Sequence, residues 1–454
     1  MSIQVTAGVG AAALAGTLAV GLAVGASLAA ESDASESATP PAVASLIAPP
    51  AAAPQEQAAD DGKTEKPLID MIRENPWAIP LDRRDATADL LSLFRDPNDN
   101  PKREPGPINI QKTLGGLAYM GIPTFFRSPV ALGPEDLVAG KVDVAVMGAS
   151  IDMSSGMRGC AFGPQAVRTG EVIGAWGELT PSAHPQAGEV DFTKELKIVD
   201  YGDAPVDILS GERSILPVHK MVKEIAETGA VPVIVGGDHS LMYADVVAVT
   251  DVYGKGNVGV VHFDAHFDGS LLVFGHYLSH GGPVRRVIDE GHVKGRNFIQ
   301  VGLNSFKPGK KDIKWMRKNE IRYHYMTEID RDGWKAVVDR VLAEAMDGPE
   351  HLFISIDTDC LEPSYGPGMG TPEPGGLTVR ELFPMLRALG IQNNVVGVEL
   401  VEVNPLTDPT YRSGQVANRI LREVLTGMAL RKKGITDPFY VDPEWADHGV
   451  AAPK

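Results

Sequence analysis

The sequence predicts an α/β fold of three layers, α/β/α, around a mainly parallel central sheet. From about residue 130, short apolar runs rich in β-branched residues alternate with longer amphipathic segments. Strands that alternate with helices in this way form parallel sheets covered on both faces. Residues 130–432 contain no long linker and no internal repeat. We therefore expect one α/β domain over this region.

Seven apolar runs are the predicted strands of this sheet, and amphipathic segments between them are the predicted helices. The strands are 142–148, 197–200, 231–235, 258–263, 298–301, 351–356 and 395–400. The clearest helical segments are 215–228, 334–345, 379–389 and 415–428.

Residues 1–30 are apolar, carry no charged side chain and end in small residues, as a secretory signal does. The positively charged N-terminal region of such a signal is missing, because the first Lys or Arg in the chain is Lys63. The run is long enough to span a bilayer, although its Ala and Gly content makes it weakly hydrophobic. We interpret it as a targeting or anchor segment for export or an organelle. The alternative is an uncleaved, poorly ordered tail of a cytoplasmic protein.

The rest of the chain divides by composition. Residues 31–66 are rich in Ala, Pro and acids, cannot bury a core, and are expected to be a disordered linker. We expect residues 67–130 to be an extension that packs on the core. The catalytic domain is expected over 131–432, with a C-terminal tail at 433–454.

Charge and cysteine content exclude two classes of function. The 42 Lys and Arg against 59 Asp and Glu give a net charge of −17, so no basic excess exists to bind nucleic acid. The two cysteines exclude a disulfide-dense scaffold and a thiolate-rich zinc or iron–sulfur site.

Candidate metal ligands follow three predicted strands, at the sheet edge where parallel α/β enzymes place their active sites. Residues two apart in an extended chain project to the same side, so the acids and histidine of Asp-Ala-His-Phe-Asp at 264–268 point together. An Asp-x-Asp pair repeats this spacing after strand 351–356, and Gly-Gly-Asp-His-Ser follows strand 231–235. The candidate ligands are His239, Asp264, His266, Asp268, Asp357 and Asp359.

This ligand set predicts two divalent ions, since clustered carboxylates that cannot separate need cations and four carboxylates carry −4. Mixed nitrogen and oxygen ligation without sulfur suits Mn²⁺, with Ni²⁺, Co²⁺ or Zn²⁺ as alternatives. Each motif alone has a simpler explanation as a turn, a helix cap or a solvated strand end. His262 shares the parity of the ligands but lies inside its strand, so we interpret it as packing or as support for a ligand.

These motifs also resemble those of the ureohydrolases, the arginase and agmatinase family. The resemblance rests on Gly-Gly-Asp-His-Ser at 236–240, Asp-Ala-His-Phe-Asp at 264–268 and Ser-Ile-Asp-Thr-Asp-Cys-Leu-Glu-Pro at 355–363. Gly-Thr-Pro-Glu-Pro-Gly-Gly at 370–376 and Val-Glu-Leu-Val-Glu-Val-Asn-Pro at 398–405 extend it.

Two upstream motifs resemble the agmatinase-like branch rather than arginases proper. They are Gly-Ile-Pro-Thr-Phe at 121–125 and Arg-Gly-Cys-Ala-Phe-Gly-Pro at 158–164. The similarity spans about residues 118–430. One departure is Glu362, where the family usually has Asp, which bears on loop geometry more than on chemistry.

The resemblance implies an arginase-like fold and assigns the ligands to two ions. The first ion would be held by His239, Asp264, Asp268 and Asp357. The second would be held by Asp264, His266, Asp357 and Asp359, with Asp264 and Asp357 bridging.

The implied activity is hydrolysis of a guanidino C–N bond to urea and an amine by a metal-bridging hydroxide. By the family pattern, Glu402 would anchor the guanidinium and His280 would shuttle the proton, as a histidine can near neutral pH. Asp268 would accept a hydrogen bond from the nucleophile. His276 lies in the same loop and competes with His280, and either could instead cap the following helix. Glu402 has an alternative as an ion-pair partner of a basic residue in the following helix.

The loop at 269–278 is apolar, and no Lys or Arg lies between Asp264 and Arg285. A substrate carboxylate requires a cation nearby, and Arg158 is the only obvious one. We therefore expect a linear guanidino compound without an amino-acid head, such as agmatine or guanidinobutyrate, with Arg158 and His276 as further substrate contacts. The loop could instead pack against a neighbouring subunit.

Free guanidine and arginine remain alternative substrates. A metal-dependent amide deacetylase, with one zinc, and a catalytically silent ureohydrolase-like subunit are alternatives of other classes. The resemblance also implies a homo-oligomer, a trimer or a hexamer. Membrane association is expected only if the segment 1–30 is retained.

Overall fold

Eight strands form one sheet in the computed structural model, with every neighbouring pair parallel. The structure describes residues 67, 69–70, 94, 102–112, 119–154, 156–170, 184–188 and 190–446. All of them belong to one unit, Thr64–Lys454. The predicted apolar segment 1–30 and linker 31–66 lie outside the described residues.

The strand order in the sheet is β2-β1-β3-β8-β7-β4-β5-β6. The strands are β1 Val144–Ala149, β2 Ile198–Asp203, β3 Val231–Gly236, β4 Val258–Phe263, β5 Phe298–Leu303, β6 Arg322–Tyr325, β7 His351–Asp357 and β8 Asn394–Val401. The α-helices are α1 Pro134–Gly140, α2 Gly163–Thr169, α3 Phe192–Glu195, α4 Gly211–Glu227, α5 Leu241–Tyr253, α6 Pro283–Asp289, α7 Lys310–Lys318, α8 Met326–Asp332, α9 Trp334–Met346, α10 Val379–Gln392, α11 Arg412–Lys432 and α12 Pro443–Ala446.

Helices cover both faces of the sheet. Successive strand residues point to opposite sides, so alternate residues of one strand pack against the helices of different layers. Val144 and Val146 of β1 pack in one buried cluster with α9, α10 and α11. Ala145 and Met147 pack in a second cluster with α4, α5 and α6. The predicted three-layer architecture is confirmed, and the sheet is entirely parallel rather than mainly so.

The seven predicted strands are all present, with ends that differ from the prediction by at most three residues. The eighth strand, β6, was not predicted. It is a four-residue edge strand, Arg-Tyr-His-Tyr, and it is only partly buried, so it carries no apolar run. Helix α5 is buried along most of its length and is nearly uniformly apolar, which hides the helical period.

The segments that flank the domain contact it at several points. The backbone N–H of Ile69 donates to Tyr243 Oη, and Ile69 is buried in the second cluster. Tyr440 and Ile435 pack on a small cluster that includes Leu430. The division into an extension at 67–130, a domain at 131–432 and a tail at 433–454 stays a prediction. Among the described residues, no helix combines the length and the apolar character needed to cross a membrane.

Candidate metal centre and active site

The four central strands of the sheet deliver the candidate site. Strands β3, β8, β7 and β4 are consecutive neighbours, and each is followed at its carboxyl end by a polar segment. Their ends meet at one edge, which is where parallel sheets bind ligands. Residues far apart in sequence are thereby brought side by side.

The turn after β3 depends on Gly237. A Cβ atom there would lie 2.2 Å from the carbonyl oxygen of Ile151 and 2.6 Å from that of Ala149. The next residue, Asp238, donates its backbone N–H to Ile151 O at 2.7 Å. Only glycine allows the two segments to approach this closely, and the approach places His239 over the sheet edge.

The first ligand cluster surrounds the ring of His239. Its Nδ1 atom lies 3.2 Å from Asp264 Oδ2, 3.1 Å from Asp268 Oδ2 and 3.1 Å from Asp357 Oδ2. Neither His239 Nδ1 nor Asp264 Oδ2 has a hydrogen-bond partner among the described residues, although both are buried. Buried polar atoms that converge without partners fit a cation, and the nitrogen and oxygen donors suit a divalent ion.

The second ligand cluster consists of Asp264, His266 and Asp359. His266 Nδ1 lies 2.9 Å from Asp359 Oδ2 and 3.5 Å from Asp264 Oδ1. Asp264 therefore belongs to both clusters, with one oxygen on each side. Among the described residues, two groups have ligand atoms close enough together to hold a metal ion: His239, His262, Asp264 and Asp268, and Asp264, His266 and Asp359.

The remaining oxygen of Asp357 has a backbone partner. Asp357 Oδ1 accepts the N–H of Asp359 at 2.8 Å, in the turn Thr358–Cys360 after β7. Only its Oδ2 atom faces the first cluster. After β4, Ala265 is buried and Phe267 packs in the second apolar cluster, as the predicted alternation requires. The segment is not extended throughout, because Asp268 has a positive φ of 47°.

His262 lies closer to the centre than the sequence suggested. Its ring stacks on that of His239 with centroids 5.0 Å apart, and its Nε2 is 3.2 Å from Asp264 Oδ2. Its Nδ1 is 3.4 Å from Gln300 Nε2. If Nδ1 accepts from Gln300, then Nε2 carries the hydrogen and faces Asp264 as a donor. That arrangement supports a ligand, although the position of His262 also allows direct metal binding.

Glu402 and His280 form a pair beside the clusters. Glu402 is fully buried with φ of 62°, an uncommon backbone conformation for a residue other than glycine. Its Oε1 accepts the backbone N–H of His239 at 3.1 Å and lies 3.4 Å from His280 Nδ1. The backbone of His280 donates to Ser154 Oγ at 2.8 Å. Two other segments of the chain, at His239 and at Ser154, thus hold the pair.

Cys160 is a contact that the sequence did not reveal. It is buried, and its Sγ donates to Glu402 Oε2 at 3.2 Å. The motif Arg-Gly-Cys at 158–160 identified this segment as part of the resemblance, but it did not indicate the contact with Glu402, which lies 242 residues further along the chain.

Arg158 and His276 lie apart from the ligand clusters. Arg158 is 59% exposed, lies 3.7 Å from Asp152 Oδ1, and donates to the backbone carbonyl of Asp152. His276 is 66% exposed and contacts Glu212 at 3.4 Å. Neither contact joins these side chains to the Glu402–His280 pair.

Glu362, the departure from the family pattern, has a local role. Its Oε2 accepts the backbone N–H of Gly375 at 2.7 Å, which ties together the turn that carries Glu373. Glu373 Oε1 in turn lies 3.5 Å from His266 Nε2. The substitution therefore leaves the ligand clusters intact.

The pKa values of the site report an excess of negative charge. Burial raises the pKa of Asp359 to about 7, and the charge of Asp264 adds to this effect. Burial and the charges of Asp359 and Asp264 also hold the pKa of Asp357 well above its usual range. Burial would lower the pKa of His266, but its hydrogen bonds to Asp264 and Asp359 raise it well above the usual range. Carboxylates in such an environment favour a bound cation.

In the Glu402–His280 pair, by contrast, the pKa of the carboxylate is lowered and that of the histidine is raised. Burial would raise the pKa of Glu402, but His280, with smaller contributions from Cys160 and the His239 backbone, lowers it below the ordinary value. Burial would lower the pKa of His280, but Glu402 and the charge of Asp268 raise it to about 9. At neutral pH the pair is a carboxylate beside an imidazolium.

Comparison with known proteins identifies the family. Residues 142–427 match the model of the Arginase family. The chain is 30% identical to the mitochondrial guanidino acid hydrolase of Homo sapiens, across 74% of this chain and 89% of that protein. It is 31% identical to the mitochondrial agmatinase of Gallus gallus, across 72% of this chain and 91% of that protein.

Among solved structures, the proclavaminate amidino hydrolase from Streptomyces clavuligerus is similar with a TM-score of 0.61 and 30% identity, across 70% of this chain and 100% of that one. These matches confirm the arginase-like fold, the agmatinase-like resemblance and the amidinohydrolase class that the sequence predicts. The chain belongs to the arginase family.

Proposed function

We propose that this protein hydrolyses the C–N bond of a linear guanidino compound, of the agmatine or guanidinobutyrate type, to urea and an amine. The observation that carries the proposal is the pair of ligand clusters that share Asp264, next to the buried carboxylate of Glu402. The human and chicken relatives, which are named for guanidino acids and agmatine, support this substrate class.

The two clusters would hold two divalent ions, with Mn²⁺ preferred and Ni²⁺, Co²⁺ or Zn²⁺ as alternatives. His239, Asp264, Asp268 and Asp357 would hold the first ion. Asp264, His266 and Asp359 would hold the second, and Asp357 would reach it only through Oδ2, because its Oδ1 accepts the N–H of Asp359. Bound there, divalent ions make a nucleophile available at neutral pH, because they lower the pKa of a water molecule towards 7.

Glu402 would anchor the guanidinium of the substrate. A guanidinium presents paired N–H donors that match a carboxylate, and a carboxylate in a fully buried position binds such a cation strongly. The contacts with Cys160 and the His239 backbone fix the orientation of this carboxylate before the substrate arrives. Orientation of the planar cation sets the angle at which its carbon is attacked.

His280 would supply the proton for the departing amine. Its raised pKa keeps the imidazole protonated at neutral pH, and its partly exposed ring can exchange that proton with solvent after each turnover. Asp268 would accept a hydrogen bond from the attacking nucleophile and later pass on its proton, since its Oδ2 faces the first cluster. The backbone of Asp268 has a positive φ of 47°, an uncommon conformation that is often found at functional sites.

The surroundings of the site favour a substrate without an amino-acid head. The loop after the ligands exposes Leu271, Leu272 and Phe274 rather than cations. Arg158, the predicted partner for a carboxylate, lies beside Asp152. Arg158 and His276 would therefore contact only the end of the substrate opposite to the guanidinium, in addition to its main contact with Glu402.

A urea- and ammonia-release screen tests the proposal. Metal-free protein would be reconstituted with Mn²⁺ or Ni²⁺ and assayed with agmatine, guanidinobutyrate, guanidinopropionate, guanidine and arginine. We expect fastest turnover with a linear compound of the first three. Faster urea release from arginine would sink the substrate assignment, and one ion per chain would favour a deacetylase. Two bound ions without any turnover would support a silent subunit.

Assembly and location are further proposals. A homo-oligomer, a trimer or hexamer, is consistent with the exposed aromatic residues Phe162 and Tyr411. Light scattering on the purified protein tests it. Export or organelle targeting by residues 1–30 agrees with the mitochondrial names of two relatives. The mass of the mature protein isolated from its cell tests cleavage.

A further inference from the structure

Residues 369–377 form a segment that runs between the ends of β7 and β8, and we call it the rim segment. Backbone bridges hold both of its ends. Met369 pairs with Val403, which follows β8, and Leu377 pairs with Leu361, which follows the turn after β7. The rim segment is therefore tied to the ends of two strands that also carry the proposed site residues.

Two further contacts hold the rim segment between these bridges. The backbone N–H of Gly370 donates to the carbonyl oxygen of Glu402 at 3.2 Å. Asn304, which follows β5, donates a side-chain N–H to the carbonyl oxygen of Pro374 at 2.6 Å. Three strand ends thus hold the segment, so its side chains project from a backbone of defined position.

Thr371 of the rim segment contacts one of the two ligands that only the second cluster contains. Its Oγ1 donates to Asp359 Oδ2 at 3.1 Å. The same oxygen lies 2.9 Å from His266 Nδ1, so it faces the interior of the cluster. The other oxygen, Asp359 Oδ1, accepts the backbone N–H of Ala265 at 3.2 Å. Each oxygen of this carboxylate therefore has its own donor, and the two donors together fix its orientation.

Glu373 of the rim segment contacts the other of these two ligands. Its Oε1 lies 3.5 Å from His266 Nε2, across the ring from the Nδ1 atom that faces Asp359. A histidine that binds a metal through one ring nitrogen usually donates the hydrogen of the other, and a carboxylate that accepts it fixes the orientation of the ring. Glu373 is placed to be that acceptor.

The two clusters differ in how the protein core surrounds them. The four proposed ligands of the first ion are at most 9% exposed, so the core encloses them. In the second cluster the His266 side chain is 24% exposed, and Glu373 behind it is 28% exposed. The core therefore restrains His266 less than the other ligands, and contacts from the rim segment matter more for it.

We propose that the rim segment positions the ligands of the second ion through Thr371 and Glu373, and that these two side chains set the affinity for that ion without affecting the first. Both are positioning residues that act through Asp359 and His266. The second ion is then the one that a chelator removes first. This inference rests on the proposed function, because the two-ion site belongs to that proposal.

Stepwise removal of metal, measured without any substrate, tests the inference. Protein loaded with Mn²⁺ would be equilibrated with increasing concentrations of chelator, and the ions that remain per chain would be counted by elemental analysis. In the wild type we expect one ion to leave before the other. Thr371→Val removes the donor to Asp359, and Glu373→Ala removes the acceptor beside His266. Each should weaken the binding of the first-released ion by about 10- to 100-fold and leave the other ion unchanged.

Conservative variants and a control separate positioning from a general loss of stability. Thr371→Ser keeps the hydroxyl, and Glu373→Gln keeps an acceptor oxygen, so both should bind the two ions nearly as the wild type does. Thr378→Val is the matched control just beyond the rim segment, where the hydroxyl donates to Glu381 Oε2 at 2.9 Å at the start of α10. It should lower the melting temperature without changing the affinity for either ion.

The Asp359→Ala background assigns the affected ion. This variant is expected to hold only the first ion, because it lacks a ligand of the second. Glu373→Ala added to it should therefore leave the affinity for the remaining ion unchanged. A further loss would show that Glu373 acts on the first ion and would overturn the assignment.

Three other results would overturn the inference. The first is wild-type affinity for both ions in Thr371→Val and Glu373→Ala, and wild-type affinity in one of them would remove that residue from the proposal. The second is an equal weakening of both ions. The third is binding by Thr371→Ser and Glu373→Gln that is as weak as in the variants without the contact. A wild-type protein that binds fewer than two ions contradicts the proposed function instead.

Discussion

His280 Nδ1 lies 3.4 Å from Glu402 Oε1, the same oxygen that accepts the backbone N–H of His239. One carboxylate oxygen therefore contacts both the proposed proton shuttle and the backbone of a proposed metal ligand. This contact keeps His280 and Glu402 in a constant position relative to the ligand clusters. Mutation can separate the role of each residue in the reaction from its role in metal binding.

Replacement of the shuttle should affect the reaction without affecting the metals. We expect His280→Ala to lower kcat by about 10²- to 10⁴-fold, the usual contribution of a positioned acid or base. Metal content should stay at two ions per chain, because His280 is not among the cluster residues. The control is His276→Ala, whose exposed ring contacts Glu212. Equal losses of kcat in both variants would contradict the choice of His280.

Replacement of a proposed metal ligand should cause the loss of one of the two metal ions. Asp359→Ala removes the oxygen that lies 2.9 Å from His266 Nδ1, so we expect about one ion per chain by elemental analysis. Activity should fall with the lost ion. Glu362→Gln is the control, since Glu362 contacts the backbone of Gly375 and is not a proposed ligand. Two ions retained in Asp359→Ala would show that this carboxylate is dispensable for binding.

The turn after β3 should not tolerate a side chain. In Gly237→Ala the new Cβ would lie 2.2 Å from a backbone oxygen, so the segment that carries His239 must shift. We expect a melting temperature lowered by several degrees and weaker metal binding, the first from strain and the second from a displaced ligand. Gly211→Ala, whose nearest contact is 3.5 Å, is the control. It should melt close to the wild type.

The buried Glu423 should make stability depend on pH. Burial would raise its pKa, but His184, Arg387 and Arg419 lower it from 4.5 to about 2. Because the folded-state value lies below the unfolded one, the stabilisation is complete above about pH 5 and is lost as pH falls towards 2. Glu423→Gln should cost up to about 3 kcal/mol of unfolding free energy at pH 7.

Urea unfolding of both proteins between pH 7 and pH 3.5 measures this effect. The difference in unfolding free energy between the wild type and Glu423→Gln should be constant down to about pH 5 and should become smaller below it. The control is Glu195→Gln, which removes a half-exposed pair with Lys433 and should change stability by less than about 1 kcal/mol. A gap that widens with acid would contradict the assigned direction.

Much of the site was predictable because its signals are local. Extended-chain geometry predicted that Asp264, His266 and Asp268 lie together, although in the structure β4 ends at Phe263 and Asp268 has a positive φ of 47°. The apolar runs marked seven of eight strands, and β6 escaped because a short edge strand carries no such run. Gly237 belongs to the motif at 236–240, but only the folded chain brings it close to the Ile151 backbone.

The sequence by itself determined the layers and the ligand types, since these depend on periodicity and on side-chain chemistry. The chemical class followed from the resemblance of its motifs to those of the ureohydrolases. The tertiary structure alone decided which strands are neighbours and that Cys160 reaches Glu402. Such contacts join residues more than a hundred positions apart, and no local pattern encodes them. They exist because parallel strands from distant parts of the chain end at the same edge of one sheet.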